Sequence, residues 1–336
     1  MPPLSVLDLS FVTAGSTPAQ ALRNTLDLAR HTDRLGFTRF WVAEHHNLPS
    51  VASGAPEIMI GQIAAVTERI RVGSGGVMLP NHAPLMVAER FKLLEALFPG
   101  RIDLGLGRAP GTDPVTSYAL RRLQQQERGG DDFPERLQEL LLLETKGFPA
   151  THPFSKIDIM PSGVPLPPIW LLGSSDYSAH LSAQLGLGFG FAQHFASHDA
   201  TDAMMSYRRE FTPSSWRSAP HAILTIAAIC AETDADAERL ASSADLNVLR
   251  RNRGEYGPLP SPEEALAYDY SAAEREAIRR NRQRLFVGSQ QTMRELLAPL
   301  LEATQADELM ITAAVFDHDA KLRSYDLLAD AFGAKG

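Results

Sequence analysis

Gly105-Leu106-Gly107-Arg108-Ala109-Pro110-Gly111 follows an apolar run that begins at Ile102, and its reading separates two α/β architectures. A dinucleotide-binding turn in an open, doubly wound sheet needs its third glycine at position 110, and this chain has Pro110 there, with an arginine inside the turn. The glycines read instead as a strand end where backbone can approach a ligand, with Arg108 reaching for an anion; a plain turn is the other reading.

Outward from this point the chain alternates short apolar runs with amphipathic helical patterns. Strands are expected at 4–9, 39–43, 70–77, 102–107, 169–173, 188–192, 222–231 and 308–312. Helices are expected at 18–35, 56–67, 84–97, 133–143, 175–185, 199–211, 234–249 and 317–332. The first is well punctuated: Thr17 can cap it, Pro18 suits its first turn and Gly36 ends it. Eight strand–helix units in 336 residues fit one (β/α)8 TIM barrel, with insertions in the loops at the C-terminal ends of its strands. Residues 108–130 and 251–287 are the long excursions, and 251–287, with Gly254, Gly257, Pro258, Pro260 and Pro262 among charges, is the lid candidate.

Composition narrows the function. Lys+Arg 32 against Asp+Glu 40 gives a net charge of -8 with the basic residues dispersed, so no nucleic-acid footprint is expected. The lone Cys230, inside an apolar run, excludes an internal disulfide and a multi-cysteine metal site, and reads as a buried thiol. No basic leader and no bilayer-length apolar stretch is visible, so no membrane partner and a cytoplasmic location are expected.

Three constellations can carry chemistry. Glu44-His45-His46 follows the second strand, where a barrel presents side chains to its mouth. Adjacent side chains diverge there, so one imidazole faces the pocket, the other is structural, and no metal is expected. Gly73-Ser74-Gly75-Gly76 in the third strand marks either a bend or a surface on which something flat rests. Leu172-Gly173-Ser174-Ser175-Asp176-Tyr177-Ser178 runs from a strand into a helix, and its N–H groups and hydroxyls form a phosphate cradle that Arg108 can close. Ordinary serine capping is the competing account, and Asp176 should point away.

With these residues on the page, the chain resembles the bacterial-luciferase-like flavin monooxygenases, (β/α)8 barrels that bind FMN. The resemblance is carried by Val42-Ala43-Glu44-His45-His46, by Val72 through Pro80, by Phe98 through Arg108, by the Gly-Ser-Ser turn at 173–175 and by Asp307-Glu308-Leu309-Met310-Ile311; only 251–287 matches loosely. It implies that Arg108, Ser175 and Ser178, with Gly173 and Ser174, hold the flavin phosphate, that a cis peptide at Gly75-Gly76 lies under the ring, and that His45 stands beside the flavin as the catalytic residue. The light-emitting members carry a reactive cysteine where this chain has Gly107, so bioluminescence is not expected.

The activity implied is that of a monooxygenase in which reduced FMN, acting as cosubstrate, reacts with O2 to form a C4a-peroxyflavin that oxygenates a small organic substrate. His194 and Trp41 are the substrate-pocket candidates, with Phe11, His82 and Phe195 nearby, and Arg121 and Arg122 as possible reinforcement of the anion site. A transient flavin reductase is implied as partner, as is a homodimer through the helices at 56–67 and 84–97, where Met59, Ile60, Ile63, Phe91, Leu94 and Leu97 serve either interface or core. Rival functions are deazaflavin-dependent hydride transfer, which would want a further basic pocket, and a non-catalytic flavin-binding relative.

Overall fold

The computed structural model describes residues 1–109, 111–121 and 132–333. Its strands are β1 (Leu4–Asp8), β2 (Arg39–Val42), β3 (Arg71–Ser74), β4 (Val77–Met78), β5 (Ile102–Gly107), β6 (Ile169–Gly173), β7 (Gly188–Ala192), β8 (Ala222–Cys230), β9 (Leu285–Gly288) and β10 (Glu308–Thr312). Described helices are α1 (Pro18–Arg34), α2 (Pro56–Val66), α3 (Pro84–Leu97), α4 (Pro114–Arg121), α5 (Phe133–Thr145), α6 (Asp176–Leu185), α7 (Ala200–Glu210), α8 (Asp234–Asn252), α9 (Pro262–Ala267), α10 (Ala272–Arg282), α11 (Gln290–Thr304) and α12 (His318–Phe332).

Eight parallel strands close in the order β1-β2-β3-β5-β6-β7-β8-β10, with β10 returning to β1, and helices cover the outside. This is the (β/α)8 barrel expected from the alternation. Two features differ. The third strand breaks around Gly75 and Gly76, whose peptide is cis as the resemblance implied, and resumes as β4 on β5. The segment 251–287 begins in the last turn of α8, carries α9 and α10, and runs into β9, which pairs with β8 through Ala227–Leu285 to Cys230–Gly288. Its middle is fastened over β1, where Leu259 N–H donates to the Val12 carbonyl at 2.8 Å and Ala14 N–H to the Leu259 carbonyl at 2.9 Å. β9, four half-buried residues, shows little periodicity, whereas α11 buries Met293, Leu297 and Leu301 at helical spacing and was missed although Pro299 is its one interruption.

Alternation along each strand sends one set of side chains outward to the helices and the other inward. The inward set includes Leu7, Trp41, Trp170, Ile223 and Met310. Beneath it, at the opening strand positions, lies a charged floor. Arg39 donates to Asp103 (2.7 Å) and Glu308 (2.9 Å), Arg71 donates to Asp103 (2.6 Å), and Ser5 bonds Glu308. Burial works against these charges, yet Arg39 and Arg71 hold the Asp103 carboxyl below its ordinary range. The barrel is therefore closed at its base, and ligands must enter from the opposite end. Thr17 caps α1 as expected, accepting from Gln20 N–H. Cys230 is buried, and burial, followed by nearby Glu232 and Asp234, pushes its thiol up to about 12.

Candidate active site

The mouth is organised around one carboxylate. Glu44, fully buried just past β2, accepts from His46 Nε2 (2.8 Å), His82 Nε2 (2.9 Å), Asn81 Nδ2 (3.0 Å) and Met78 N–H (2.8 Å). Burial alone would raise its pKa, but the hydrogen bonds and charge of His82, with Asn81 and His46, bring it to about 2. Arg121, read in the sequence as a solvated surface arginine or a reinforcement of the anion site, donates to Asn81 Oδ1 (3.0 Å) and so joins this network. Arg122 lies outside the described residues.

Because Glu44 fixes His46, the two histidines diverge as the strand geometry requires. His45 goes the other way, and its Nδ1 is buried with no hydrogen-bond partner. Burial first, then the charge of Arg251, lowers the pKa of His45. The backbone beside it touches the cis peptide: Glu44 N–H donates to the Gly76 carbonyl (3.3 Å) and Gly75 N–H to the Val42 carbonyl (2.8 Å). The glycines are required by close approach. A Cβ on Gly76 would lie 2.8 Å from the Gly105 carbonyl, and one on Gly105 only 2.0 Å from that of Ser74.

His194 follows β7, on the opposite side of the ring from β2. Its Nδ1 lies 3.4 Å from the Thr225 carbonyl, its ring meets Phe195 edge-on at 4.6 Å, and burial, with a smaller effect of His45, drives its pKa down to about 4. The structure thus brings His45 and His194 to one mouth as neutral imidazoles. Trp41 is elsewhere. It is 1% exposed, stacks edge-on against Trp170 (5.6 Å) and approaches Asp103 with Nε1 (3.3 Å), so it supports the mouth from below instead of walling it. The reason is its position within β2, one residue short of the strand end. His82, likewise a wall candidate, is a partner of Glu44.

The residues expected to form an anion cradle come together at the ends of β5 and β6. Gly107 is in register with Leu172, so Arg108 emerges beside Gly173, and its guanidinium sits 4.2 Å from the centre of the Tyr177 ring in the first turn of α6. Ser175 is the N-cap residue but makes no side-chain capping bond, and Asp176 is exposed. Ser178 departs from expectation: its hydroxyl donates to the Leu172 carbonyl (3.2 Å), docking α6 on β6 in the space a Cβ at Gly173 would take. The His45 and Arg108 loops are tied together by His46 N–H to Gly111 (3.2 Å) and Thr112 Oγ1 to the His46 carbonyl (2.9 Å).

A flavin phosphate fits this arrangement, with Arg108, the Ser175 hydroxyl, which makes no capping bond, and the α6 N–H groups at one end, and at the other His45, whose buried Nδ1 has no hydrogen-bond partner among the described residues and whose neighbour Glu44 bonds the Gly76 carbonyl through its backbone. No group of three or more metal-ligating side chains occurs among the described residues. The sequence marks Glu44 as part of the Glu-His-His constellation and His82 as a wall candidate, but not as partners of one another; Asn81 was not singled out, and no local signal marks it.

The chain matches the family model described as luciferase-like monooxygenase over residues 3–308. It is 42% identical to the luciferase-like monooxygenase of Escherichia coli (strain K12), covering 97% of this chain and 96% of that one. The solved structure of apo-MsnO8 superposes with a TM-score of 0.90 at 39% identity, covering 100% of this chain and 99% of that one. At the level of fold alone, the oxygenating constituent of the Pseudomonas putida 3,6-diketocamphane monooxygenase in complex with FMN gives a TM-score of 0.71 at 20% identity, covering 98% of each. An F420-dependent secondary alcohol dehydrogenase gives 0.64 at 14%, covering 99% and 98%.

Proposed function

This chain belongs to the luciferase-like monooxygenase family, and from that membership we propose that it binds reduced FMN as cosubstrate and uses O2 to oxygenate a small organic substrate. The observation that supports the reading is the shared mouth: a buried His45 Nδ1 with no hydrogen-bond partner among the described residues on one side, and Arg108 beside the Ser175 N-cap of α6 on the other. Bound reduced FMN supplies the electrons that activate O2.

The chain's own residues do the rest. Arg108 and the α6 N–H groups hold the phosphate, and the ring rests along the Gly75–Gly76 backbone, which lacks Cβ atoms because Leu7, Trp41, Leu172 and the Gly105 carbonyl pack closely against it. His45, neutral at pH 7 because burial and Arg251 disfavour its charged form, offers Nδ1 to hold or move a proton beside the reacting atoms. Glu44 fixes the strand end from which His45 projects. The insertion pinned by Leu259 shields the mouth from water.

A transient reductase supplying reduced FMN and a cytoplasmic setting belong to the same proposal. So does pairing of two copies through α2 and α3. Of the residues expected to serve core or interface, Met59, Ile60, Ile63, Phe91 and Leu94 are core, whereas Leu97 is exposed together with Ile58, Met86 and Leu93, leaving an apolar outer face. A Leu93→Glu/Leu97→Glu double variant should run as a monomer by light scattering if that face pairs.

The cofactor is tested by titrating the protein with reduced FMN and reduced deazaflavin while following O2. Tighter FMN binding with O2 uptake is expected. Preference for deazaflavin without uptake would replace oxygenation by hydride transfer, and FMN binding without uptake would make this a flavin carrier.

A further inference from the structure

The amino-terminal end of the barrel, opposite the mouth, gathers hydrogen-bond donors around one indole. Trp170, second in β6, is 0% exposed, and its Nε1–H has no hydrogen-bond partner among the described residues. The six-membered ring of this indole packs on Gly188, where a Cβ would meet Cδ2, Cε3 and Cζ3, so the Nε1 edge faces away from β7. Three side chains of the floor surround the ring. The guanidinium carbon of Arg39 sits 4.8 Å and that of Arg217 4.7 Å from its centre, and the His221 ring meets it edge-on at 5.2 Å. His221 Nε2 is likewise buried without a hydrogen-bond partner among the described residues.

The charges here do not balance. Arg39 and Arg71 share the carboxylates of Asp103 and Glu308, whereas Arg217, in the loop between α7 and β8, has no acid partner among the described residues. Three guanidinium charges therefore meet two carboxylates, and burial works against the charge of Arg217. An indole N–H can only donate, a guanidinium can only donate, and an imidazole donates from Nε2 in one of its tautomers, so an oxyanion satisfies all three. His221 Nε2 also lies 3.4 Å from Oε2 of Glu308, whose oxygens already accept from Ser5 and Arg39. That carboxylate repels an anion without a proton and accepts from one that carries an O–H. Hydrogen phosphate carries one at neutral pH, and sulfate does not. Arg217 and His221 are both half-buried, so the ion reaches the floor from the amino-terminal side without entering the barrel.

We propose that the base of the barrel is a hydrogen-phosphate site, in which Arg217, His221 Nε2 and Trp170 Nε1 donate to the phosphate oxygens and Glu308 accepts from the phosphate O–H. It lies at the opposite end of the strands from the Arg108 cradle and is independent of the cofactor that the mouth takes. Bound phosphate cancels the excess charge and ties the 211–221 loop to β6 and β10, so it stabilises the folded chain by mass action. A free phosphate ion and the phosphate of a small monoester share this chemistry, and the test separates them.

The experiment uses the full chain with Arg108→Ala, which removes the arginine of the mouth, labelled with nitrogen-15 at its three tryptophans and titrated with inorganic phosphate at pH 7. The Trp170 indole signal, assigned by Trp170→Phe and independently by Trp41→Phe and Trp216→Phe, should move saturably. The Trp41 signal should stay, because its Nε1 already faces Asp103. The melting midpoint should rise over the same concentrations. Adding Arg217→Ala should weaken phosphate binding about tenfold, with Arg217→Lys in between, and Arg217→Ala alone should leave FMN affinity unchanged. Sulfate should bind about tenfold more weakly than phosphate. Glycerol 3-phosphate that binds as well as phosphate assigns the site to a monoester, and weaker binding assigns it to the free ion. A Trp170 signal that does not respond, phosphate affinity unchanged by Arg217→Ala, or sulfate binding equal to phosphate overturns the proposal.

Discussion

His82 Nε2 lies 2.9 Å from Oε2 of Glu44, joining the loop after β4 to the end of β2 across 38 positions of sequence. With His46 on the other oxygen, this pair turns a buried carboxylate into the anchor of the mouth. The backbone of His45 continues directly from this anchor and is held further by its N–H to the Ser53 carbonyl (3.3 Å).

The first expectation concerns acid stability. Glu44 titrates at about 2 in the folded protein, below the ~4.3 of an unfolded glutamate, so its contribution is complete above ~4.3 and is lost as pH falls toward 2. The shift is worth at most about 3 kcal/mol. Urea midpoints measured from pH 6 to pH 3 should show this loss in the native chain. Glu44→Gln should be destabilised by about 2 kcal/mol at neutral pH, with a flatter profile below pH 4; a profile that stays as steep would assign the acid loss to other groups.

A second, higher step belongs to His194. Its folded pKa of about 4 is below the unfolded ~6.5, so the unfolded chain binds the extra proton between these values and stability falls as pH drops from ~6.5 to ~4, then levels. The effect is at most about 3 kcal/mol. His194→Asn should flatten the upper limb of the same urea series and leave the Glu44 limb in place.

Among the glycines, the obstacle decides the cost. A Cβ at Gly75 meets the end of the Leu7 side chain at 2.6 Å, which can rotate, whereas at Gly76 and Gly105 it meets backbone carbonyls at 2.8 and 2.0 Å. Gly105→Ala should therefore destabilise most, by about 3 kcal/mol, Gly76→Ala next, and Gly75→Ala least. Thermal melts of the three variants give the order directly, and a Gly75→Ala variant as damaged as Gly105→Ala would contradict it.

Arg108 should distinguish a phosphate from a ring. Arg108→Ala is expected to weaken FMN binding about tenfold while leaving riboflavin affinity unchanged, and the FMN loss should shrink at high salt because the guanidinium is exposed. Fluorescence titration with both ligands reads this; equal loss for both would place Arg108 outside the phosphate site.

The eight strand–helix units, the capped α1, the glycines at 75, 76 and 105 and the meeting of Arg108 with the turn at 173–178 were legible in the sequence. Each depends on neighbours in the chain: strand period 2, helix period 3.6, a cap three residues from its donor, or a turn in which strand end and helix start are adjacent. What the sequence could not fix are the contacts made when loops from different strands meet. The convergence of His46, Asn81 and His82 on Glu44, the burial of Trp41 beneath the mouth, the outward turn of Leu97 and the pairing of β9 with β8 all follow from closing the barrel. Closure brings residues tens to hundreds of positions apart within hydrogen-bond reach, and only then do burial and charge decide which histidine is anchored to Glu44 and which is left with an unpartnered Nδ1 among the described residues.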